Sequence, residues 1–369
     1  MDIHFRWNRK SAYSLAALAP LIKGACFSTK PENGIMIYSF STKQSEMFFD
    51  EVKRAKTDSI FIAGGPHPSG EPEQTLEYFD YVVIGEGEDT LPHLVQSLLS
   101  GSSVEHVKGI ACRSEDGRIF YTGQRDQVEL DRYPCFDPQI LFSPIEISRG
   151  CPWNCRYCQT PNLFGNEMRH RSISSILKCA RHYSDLRFTS SNAFAYGSDG
   201  ITPRYDKVEK LLTKLNSLDS RNIYFGTFPS EVRPEFVTDR ALELIVEYCT
   251  NSTINMGAQS GSPRMLNKMS RGHNVDDIVI AVERCIDHAI SPVVDFIVGL
   301  PDETDYDQEQ SIDLIKWICS RGGKVRAHHF TPLPGTGYCR SQPSQISRNT
   351  KKILGKLALD GKVTGSWER

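Results

Sequence analysis

Ser148 to Gly165 reads SRGCPWNCRYCQTPNLFG and sets Cys151, Cys155 and Cys158 in a CxxxCxxC spacing. Three thiols on so short a loop suit only a few chemistries. Thiolates hold zinc, but a closed zinc site takes four ligands, so that reading has to recruit His170 or Cys179. Unliganded burial is a poor match, because Pro152, Asn154 and Arg156 are awkward company for a core. A redox disulfide would want an even thiol count and a thioredoxin-like setting. Iron–sulfur ligation fits better: four cysteines complete a cubane, and three leave one iron open to a small chelating ligand.

A second stretch with chemical potential is FIAGGPHPSGEPEQTLEYFDYVVIGEGEDTLPHLVQSL. Gly64 and Gly65 end one buried run, and Gly85 and Gly87 end the next, so a ligand can approach the backbone closely at both. His67 is either such a contact or a histidine on a surface loop between prolines. Glu86 and Glu88 read as loop and helix-start carboxylates.

These residues need a scaffold, and the hydrophobic pattern describes one. GIMIYSF, SIFIAGG and DYVVIGEG have the form of buried parallel strands. SAYSLAALAPLIK, QSEMFFDEVKRAK and EDTLPHLVQSLLSG have helical spacing, the last with Gly101 as its C-cap. The alternation predicts an α/β, doubly wound Rossmann-like domain over 1–130 with about five strands. A hairpin turning at Asp116–Gly117 follows, then a proline-rich linker over 131–142.

A second alternation runs from 143 to 340. SPIEIS, LRFTS, NIYFGT, STINMG, PVVDFIVGL and KVRAHHF predict strands, with helices around 172–183, 205–216, 238–249, 274–290 and 307–321. Asn274 and Asp277 form a capping signal for the fourth helix. Six successive strand–helix units, (β/α)6, predict a parallel barrel or part-barrel rather than an open sheet, with its chemistry on the loops leaving the C-terminal strand ends. The cysteine loop, TSSNAF, FPSEVRP, GAQSGS, GLPDET and TPLPGTG all fall on that one rim. A helical segment over 341–369 closes the chain.

The 369 residues are 39% hydrophobic and 24% charged with a net charge of −2, which argues against a general polyanion binder, so no nucleic-acid partner is expected. No apolar run reaches the length of a membrane span and no signal-peptide core is present, so a cytoplasmic protein without a membrane partner is expected. Eleven cysteines are an odd count, unlike a secreted disulfide framework; Cys112, Cys179, Cys249, Cys285 and Cys319 read as small buried hydrophobes.

CxxxCxxC with Tyr157 just before its last cysteine resembles the signature of the radical S-adenosylmethionine enzymes, and the six units resemble their partial (β/α)6 barrel. The resemblance implies a 4Fe-4S cluster held by Cys151, Cys155 and Cys158. Its open iron would be chelated by S-adenosylmethionine, whose reductive cleavage gives a 5′-deoxyadenosyl radical. NMGAQSGSPRMLNKMSRGH resembles the stretch after the fourth strand in tRNA methylthiotransferases and their relatives. That places Gln259 and Ser260 near the ribose or methionine moiety and pairs Arg271 with the carboxylate. FIVGLPDET resembles the fifth-strand motif, with Ile297 on adenine and Gly299 allowing close approach. Asp302 stands where that motif has glycine, and Ser191 to Phe194 occupies the place of its Gly-Gly-Glu.

The first domain resembles the cobalamin-binding domain found ahead of many such barrels. By that resemblance Ser39, Ser41, Gly64, Gly65, His67, Gly85 and Gly87 are its cobalamin contacts. The family's Asp-x-His-x-x-Gly loop is missing; RWNRKSAYS stands there, so Arg6, Asn8 or a neighbour would lie beneath cobalt, or the domain has kept the fold and lost the cofactor. Together the resemblances imply a cobalamin-dependent radical enzyme that methylates an unactivated carbon, with a small electron donor such as flavodoxin or ferredoxin. The substrate would enter between the domains, with Glu231 and Tyr338 as catalytic candidates and Arg233, His328 and His329 nearby. A peptide or protein substrate such as methyl-coenzyme M reductase is one implication. Alternatives are a radical enzyme of another class (ring formation, rearrangement or methylthiolation) and an iron–sulfur or cobalamin sensor.

Overall fold

In the computed structural model, which describes residues 1–114 and 116–367, the apolar runs of the first third form one sheet of seven strands. These are β1 (Ile3–Arg6), β2 (Cys26–Ser28), β3 (Gly34–Ser39), β4 (Ser59–Gly64), β5 (Tyr81–Val83), β6 (Ile110–Arg113) and β7 (Ile119–Tyr121), in the order β2-β1-β3-β4-β5-β6-β7. The expected five strands become seven for two reasons. Cys26–Ser28 is short and mostly exposed, so it carries no burial pattern, yet it pairs with β1 as an edge. The predicted hairpin forms, but it extends the same sheet antiparallel to β5.

Every residue of β3 is buried because both faces of the sheet are covered. Ile35 and Ile37 point into a core with Leu15 of α1 (Ala12–Leu18) and Leu91 and Leu94 of α5 (Thr90–Ser100). Met36 and Tyr38 point the other way, onto Phe48 and Phe49 of α2 (Ser45–Arg54) and onto Phe79. Two one-turn helices, α3 (Pro66–Gly70) and α4 (Pro72–Thr75), link β4 to β5. The parallel part has the order 2-1-3-4-5, so the direction in which strands are added to the sheet reverses between β1 and β3. Ligands of such sheets bind at that switch point, outside the carboxyl ends of the strands.

This unit comprises Met1–Ser143 with two short segments, Gln159–Gly165, which holds α6 (Thr160–Phe164), and Leu333–Thr336. The segment expected to be a linker is packed instead: Cys135 and Phe136 are buried.

The second unit comprises Pro144–Cys158, Asn166–Pro332 and Gly337–Arg369. All six expected strands are present as β8 (Ile145–Glu146), β11 (Asp185–Thr189), β12 (Asn222–Tyr224), β13 (Thr253–Gln259), β14 (Ser291–Val298) and β15 (Lys324–His329). A two-strand ladder, β9 (Ser148–Arg149) with β10 (Arg169–His170), flanks the cysteine loop. The sheets β12-β11-β8 and β13-β14-β15-β16 (β16, Val363–Ser366) are parallel, and Val232, in the segment after β12, forms an isolated bridge to Met256 of β13. Strand β16 (Val363–Ser366) corrects the expected all-helical ending: after α13 (Arg348–Leu359) the chain turns back and pairs with β15.

The helices between are α7 (Ile173–Ala180), α8 (Tyr205–Asn216), α9 (Asp239–Tyr248), α10 (Pro263–Lys268), α11 (Val275–Asp287) and α12 (Asp305–Ser320). The capping box of Asn274 and Asp277 is formed. Along β14, Val294, Phe296 and Val298 are buried; Asp295 lies on the opposite row, level with Gly257 of β13 and Arg326 of β15. No helix among the described residues is long and apolar enough to cross a membrane.

Candidate functional site

The cysteine loop is held by a single aromatic side chain. Trp153 donates its indole N–H to the Gly200 carbonyl at 2.9 Å, and the Arg233 guanidinium lies 3.8 Å from its ring centre. Gly272 is in the left-handed region at φ 86, and a Cβ there would collide with the Trp153 ring. Arg149, two residues before Cys151, is buried and bonds Glu146, which also accepts from the buried Arg171. The start of the loop is thus tied to β8 through Glu146, and Trp153 to three other loops.

Cys155 is buried, Cys151 and Cys158 are half-buried, and none is in a disulfide. Burial raises the pKa of the Cys151 thiol, and charge on neighbouring Cys158 or Cys155 raises it further, so the three thiols feel one another. Arg271 is 8% exposed and donates from Nη1 to Cys155 Sγ at 3.6 Å and from Nη2 to the Gly257 carbonyl at 2.7 Å, while its Nε has no partner. Arg233, also buried, bonds Glu235 and the Arg271 carbonyl. His273 is pushed down to about 2 by burial and by these two guanidinia, so it stays neutral. Two buried cations therefore share one carboxylate, Glu235, beside three thiols. An uncompensated buried charge costs several kcal/mol, about 3 to 5 by analogy with broken buried pairs. Anionic thiolates supply the missing charge, so the residues present fit a thiolate-ligated centre.

The kind of centre follows from what surrounds it. His170, the expected fourth ligand of a zinc site, has Nδ1 2.8 Å from the Ser148 hydroxyl and Nε2 2.7 Å from the Ser198 carbonyl. Cys179 is buried in α7. Among the described residues no three His, Cys, Asp or Glu side chains converge on one ion. Thiolates that bind separate irons of a cubane need no such convergence.

Around the loop the expected S-adenosylmethionine contacts divide. Gln259 ends β13 at φ 74, at a register shift against β14, with its amide over Gly257 beside Arg271. Ile297 is half-buried on the Asp295 row, and Gly299 donates its N–H to Glu303 at 2.7 Å. Tyr157 is half-buried with its pKa raised by burial, against which the nearby Arg271 charge acts. Ser260 is fully buried, 3.2 Å from the Ser311 hydroxyl, and accepts from the Ser262 N–H. Its hydroxyl is engaged inside the fold. Asp302, in place of the expected glycine, is left-handed at φ 59 and bonds Lys268. In the stretch standing for Gly-Gly-Glu, Asn192 is 2% exposed and neither end of its amide has a partner.

The catalytic candidates also divide. Tyr338 is buried, donates to the Lys268 carbonyl at 3.1 Å and carries the Arg156 guanidinium 4.8 Å from its ring centre. Glu231 shares Arg326 with Asp295, whose Oδ1 accepts from Arg326 Nε at 2.6 Å. Burial and the Asp295 charge push Glu231 up to about 7. Arg233 braces Trp153, His329 has Nδ1 2.7 Å from the Phe330 carbonyl, and His328 is exposed on β15. Sequence reasoning missed Trp153, Asn192, Asp295 and Arg326. An acidic residue inside the apolar run PVVDFIVGL was the available signal for Asp295.

The switch point of the first unit is built by the turns after β1, β3, β4 and β5. Gly65 is left-handed at φ 93, and a Cβ there would lie 2.8 Å from the Ser39 hydroxyl and 3.1 Å from Phe40 N. A Cβ on Gly64 would meet only ordinary contacts, Val83 at 3.7 Å the nearest, so the fold itself does not require glycine there. Gly85 donates its N–H to Ser69, and a Cβ on Gly87 would touch Leu18. Ser39 is buried; Ser41 begins the turn over Thr42–Gln44, where the buried Gln44 Nε2 has no partner. Glycine space beside an orphaned amide fits a ligand with polar groups along its edge, as a corrin ring has.

Two expectations about that ligand are corrected. His67 is no surface-loop residue: it is buried in α3, stacked 5.9 Å from Phe40 and 3.2 Å from Gln74 Oε1. Arg6 is clamped by Glu51 at 2.7 and 2.6 Å and Asn8 caps the turn that follows it, so neither side chain is available beneath cobalt.

Residues 145–315 match the family model described as the radical SAM superfamily, and residues 34–95 match that of the B12 binding domain. The chain thus carries a B12 binding domain followed by a radical SAM domain. Its domains imply a 4Fe-4S cluster, S-adenosylmethionine and cobalamin. A putative methylthiotransferase of Methanocaldococcus jannaschii is 25% identical over 79% of this chain and 64% of its own length. The radical S-adenosylmethionine methyltransferase TsrM from Kitasatospora setae, solved with cobalamin and a [4Fe-4S] cluster, superposes with a TM-score of 0.65 at 15% identity, over 83% of this chain and 66% of that one. The cobalamin-dependent S-adenosylmethionine radical enzyme OxsB, solved with aqua-cobalamin, gives 0.62 at 17% identity over 90% and 48%. Both share the fold. The chain thus spans under two thirds of the length of the M. jannaschii relative.

Proposed function

We propose that this radical S-adenosylmethionine protein is a cobalamin-dependent methyltransferase that places a methyl group on an unactivated carbon, using a flavodoxin- or ferredoxin-type electron donor. The observation that supports it is the pairing, in one chain, of a thiol loop set in buried positive charge with a switch point lined by Gly64 and Gly65. When bound, the cluster and S-adenosylmethionine supply radical chemistry and cobalamin supplies a transferable methyl group.

Cys151, Cys155 and Cys158 hold the iron, and Trp153 fixes the loop that carries them. Buried Arg271 with half-buried Gln259 and Tyr157 would help to keep bulk water from a site where stray water would quench a reactive intermediate. Glu231 holds a proton near neutral pH and is the group best placed to give or take one. Gly64 would let a flat ligand approach the sheet edge, while Gln44 and Ser39 offer it polar contacts. A peptide or protein is the substrate class this proposal carries forward.

Similarity to the putative methylthiotransferase of M. jannaschii favours a second reading, methylthio transfer. Anaerobic purification with reconstitution, followed by iron, sulfide and cobalt quantification, separates the cases. About four irons and one cobalt per chain support methyl transfer. Iron without cobalt, with hydroxocobalamin supplied, overturns it. Methyl-labelled S-adenosylmethionine then shows whether the product gains a methyl or a methylthio group.

A further inference from the structure

Arg271 was expected to serve a ligand's carboxylate, but its two terminal nitrogens point elsewhere. One is on Cys155 Sγ at 3.6 Å and the other on the Gly257 carbonyl at 2.7 Å. Gly257 makes this possible: a Cβ there would lie 2.9 Å from Arg271 Nη2 and would strike the Gln259 amide. Behind it, Arg233 holds the Arg271 carbonyl, so the guanidinium has little freedom to swing away. A fixed, buried cation thus donates a hydrogen bond to one proposed cluster ligand, Cys155.

We infer that Arg271 tunes the reduction potential of the cluster through its bond to Cys155; this rests on the cluster reading above. Potentials of such centres follow net charge, hydrogen bonds to sulfur and solvent exposure. Reduction takes one electron from an external one-electron donor and adds one negative charge to the cluster and its thiolates. No proton or bond is exchanged. A guanidinium at hydrogen-bond distance stabilises the added charge, and in a site this buried the effect is little screened. Arg271 therefore makes the cluster easier to reduce, and does so before any substrate is present.

The test is a redox titration with dithionite, followed by electron paramagnetic resonance, on reconstituted full-length protein without S-adenosylmethionine. Arg271→Gln removes the charge. Gly257→Ala keeps the charge and displaces the guanidinium, and it covers the case in which Arg271→Gln fails to load iron. Both variants are expected to need a more negative poise. For Arg271→Gln, about a tenfold fall in the reduced-to-oxidised ratio at fixed poise is expected, equivalent to about 59 mV for one electron. Clusters intact in both variants with unmoved midpoints overturn the inference while leaving the proposed function standing. Wild-type protein that assembles no cluster overturns both. A role confined to the S-adenosylmethionine carboxylate would alter its binding alone and leave these midpoints where they were.

Discussion

The guanidinium of Arg233 sits over Trp153, 3.8 Å from the ring centre, and joins two loops 80 residues apart in the chain. One face of the indole is covered by this cation and another part by Gly272, while its N–H is bonded to Gly200. The cysteine loop has no regular structure of its own between β9 and α6, so contacts from other loops, this one among them, set its conformation.

Replacing Arg233 by alanine removes a buried cation–π contact and leaves Glu235 without its main partner. The expected loss is about 2 to 4 kcal/mol in urea unfolding of the metal-free protein, with lower iron loading on reconstitution. Arg233→Lys should recover little, because the planar fork is what both lies on the ring and reaches Glu235. An alanine variant that unfolds with the wild-type midpoint would show that the loop is held by something else.

The glycine pair at the switch point separates folding from ligand approach. Gly65→Ala forces a side chain into a left-handed position against Ser39 and should cost about 1 to 3 kcal/mol. Gly64→Ala meets only ordinary contacts in the protein and should change stability by less than about 0.5 kcal/mol. If a corrin lies against that face, Gly64→Ala should still weaken hydroxocobalamin binding, read by its visible spectrum on titration. Wild-type binding by a normally folded Gly64→Ala protein would place the corrin elsewhere.

Local patterns were legible in the sequence, and long-range polar pairings were not. The helix expected at 205–216 spans Tyr205–Asn216, and the Asn274 cap is formed, because periodicity and capping are decided within one or two turns. The cysteine loop announced itself by spacing. Nothing local reveals that Arg6 belongs to Glu51, 45 residues on, so it looked available for a ligand. Ser260 failed for the same reason: its partner is Ser311, on another helix. Strand β2 was missed because an exposed edge of three residues has neither alternation nor burial to mark it.

Glu231 gives the protein a pH dependence with a definite sign. Its proton is held to about 7 in the folded chain against an ordinary 4.5, chiefly through burial and then through the Asp295 charge. Folding is therefore favoured below about pH 4.5, and that contribution is lost as pH rises through 7. Glu303, also raised to about 7 by burial, adds a slope of the same sign. Denaturation midpoints between pH 5 and 8 should fall more steeply for wild type than for Glu231→Gln, and least for the double variant with Glu303→Gln. Equal slopes in all three would mean that neither carboxyl keeps its proton in the folded state.

Asp307 works in the opposite direction. It begins α12 as part of a capping box with Thr304 and accepts from Ser262 at 2.6 Å and from Arg264 at 3.1 Å. Burial resists its ionisation, but these donors outweigh burial and hold the carboxyl well below the usual carboxylate range. A depressed folded pKa contributes stability that is present above the unfolded value near 3.8 and is lost as pH falls towards the folded one. Asp307→Ala also frees the start of α10, since Ser262 caps that helix through Met265 N–H at 3.3 Å. The expected cost is about 3 kcal/mol at neutral pH. Because the carboxylate is what matters, Asp307→Asn should lose most of the same amount at pH 7. It should lie closer to wild type near pH 3, where the wild-type advantage has begun to fade. A constant difference between the two across that range would show that Asp307 acts through packing alone.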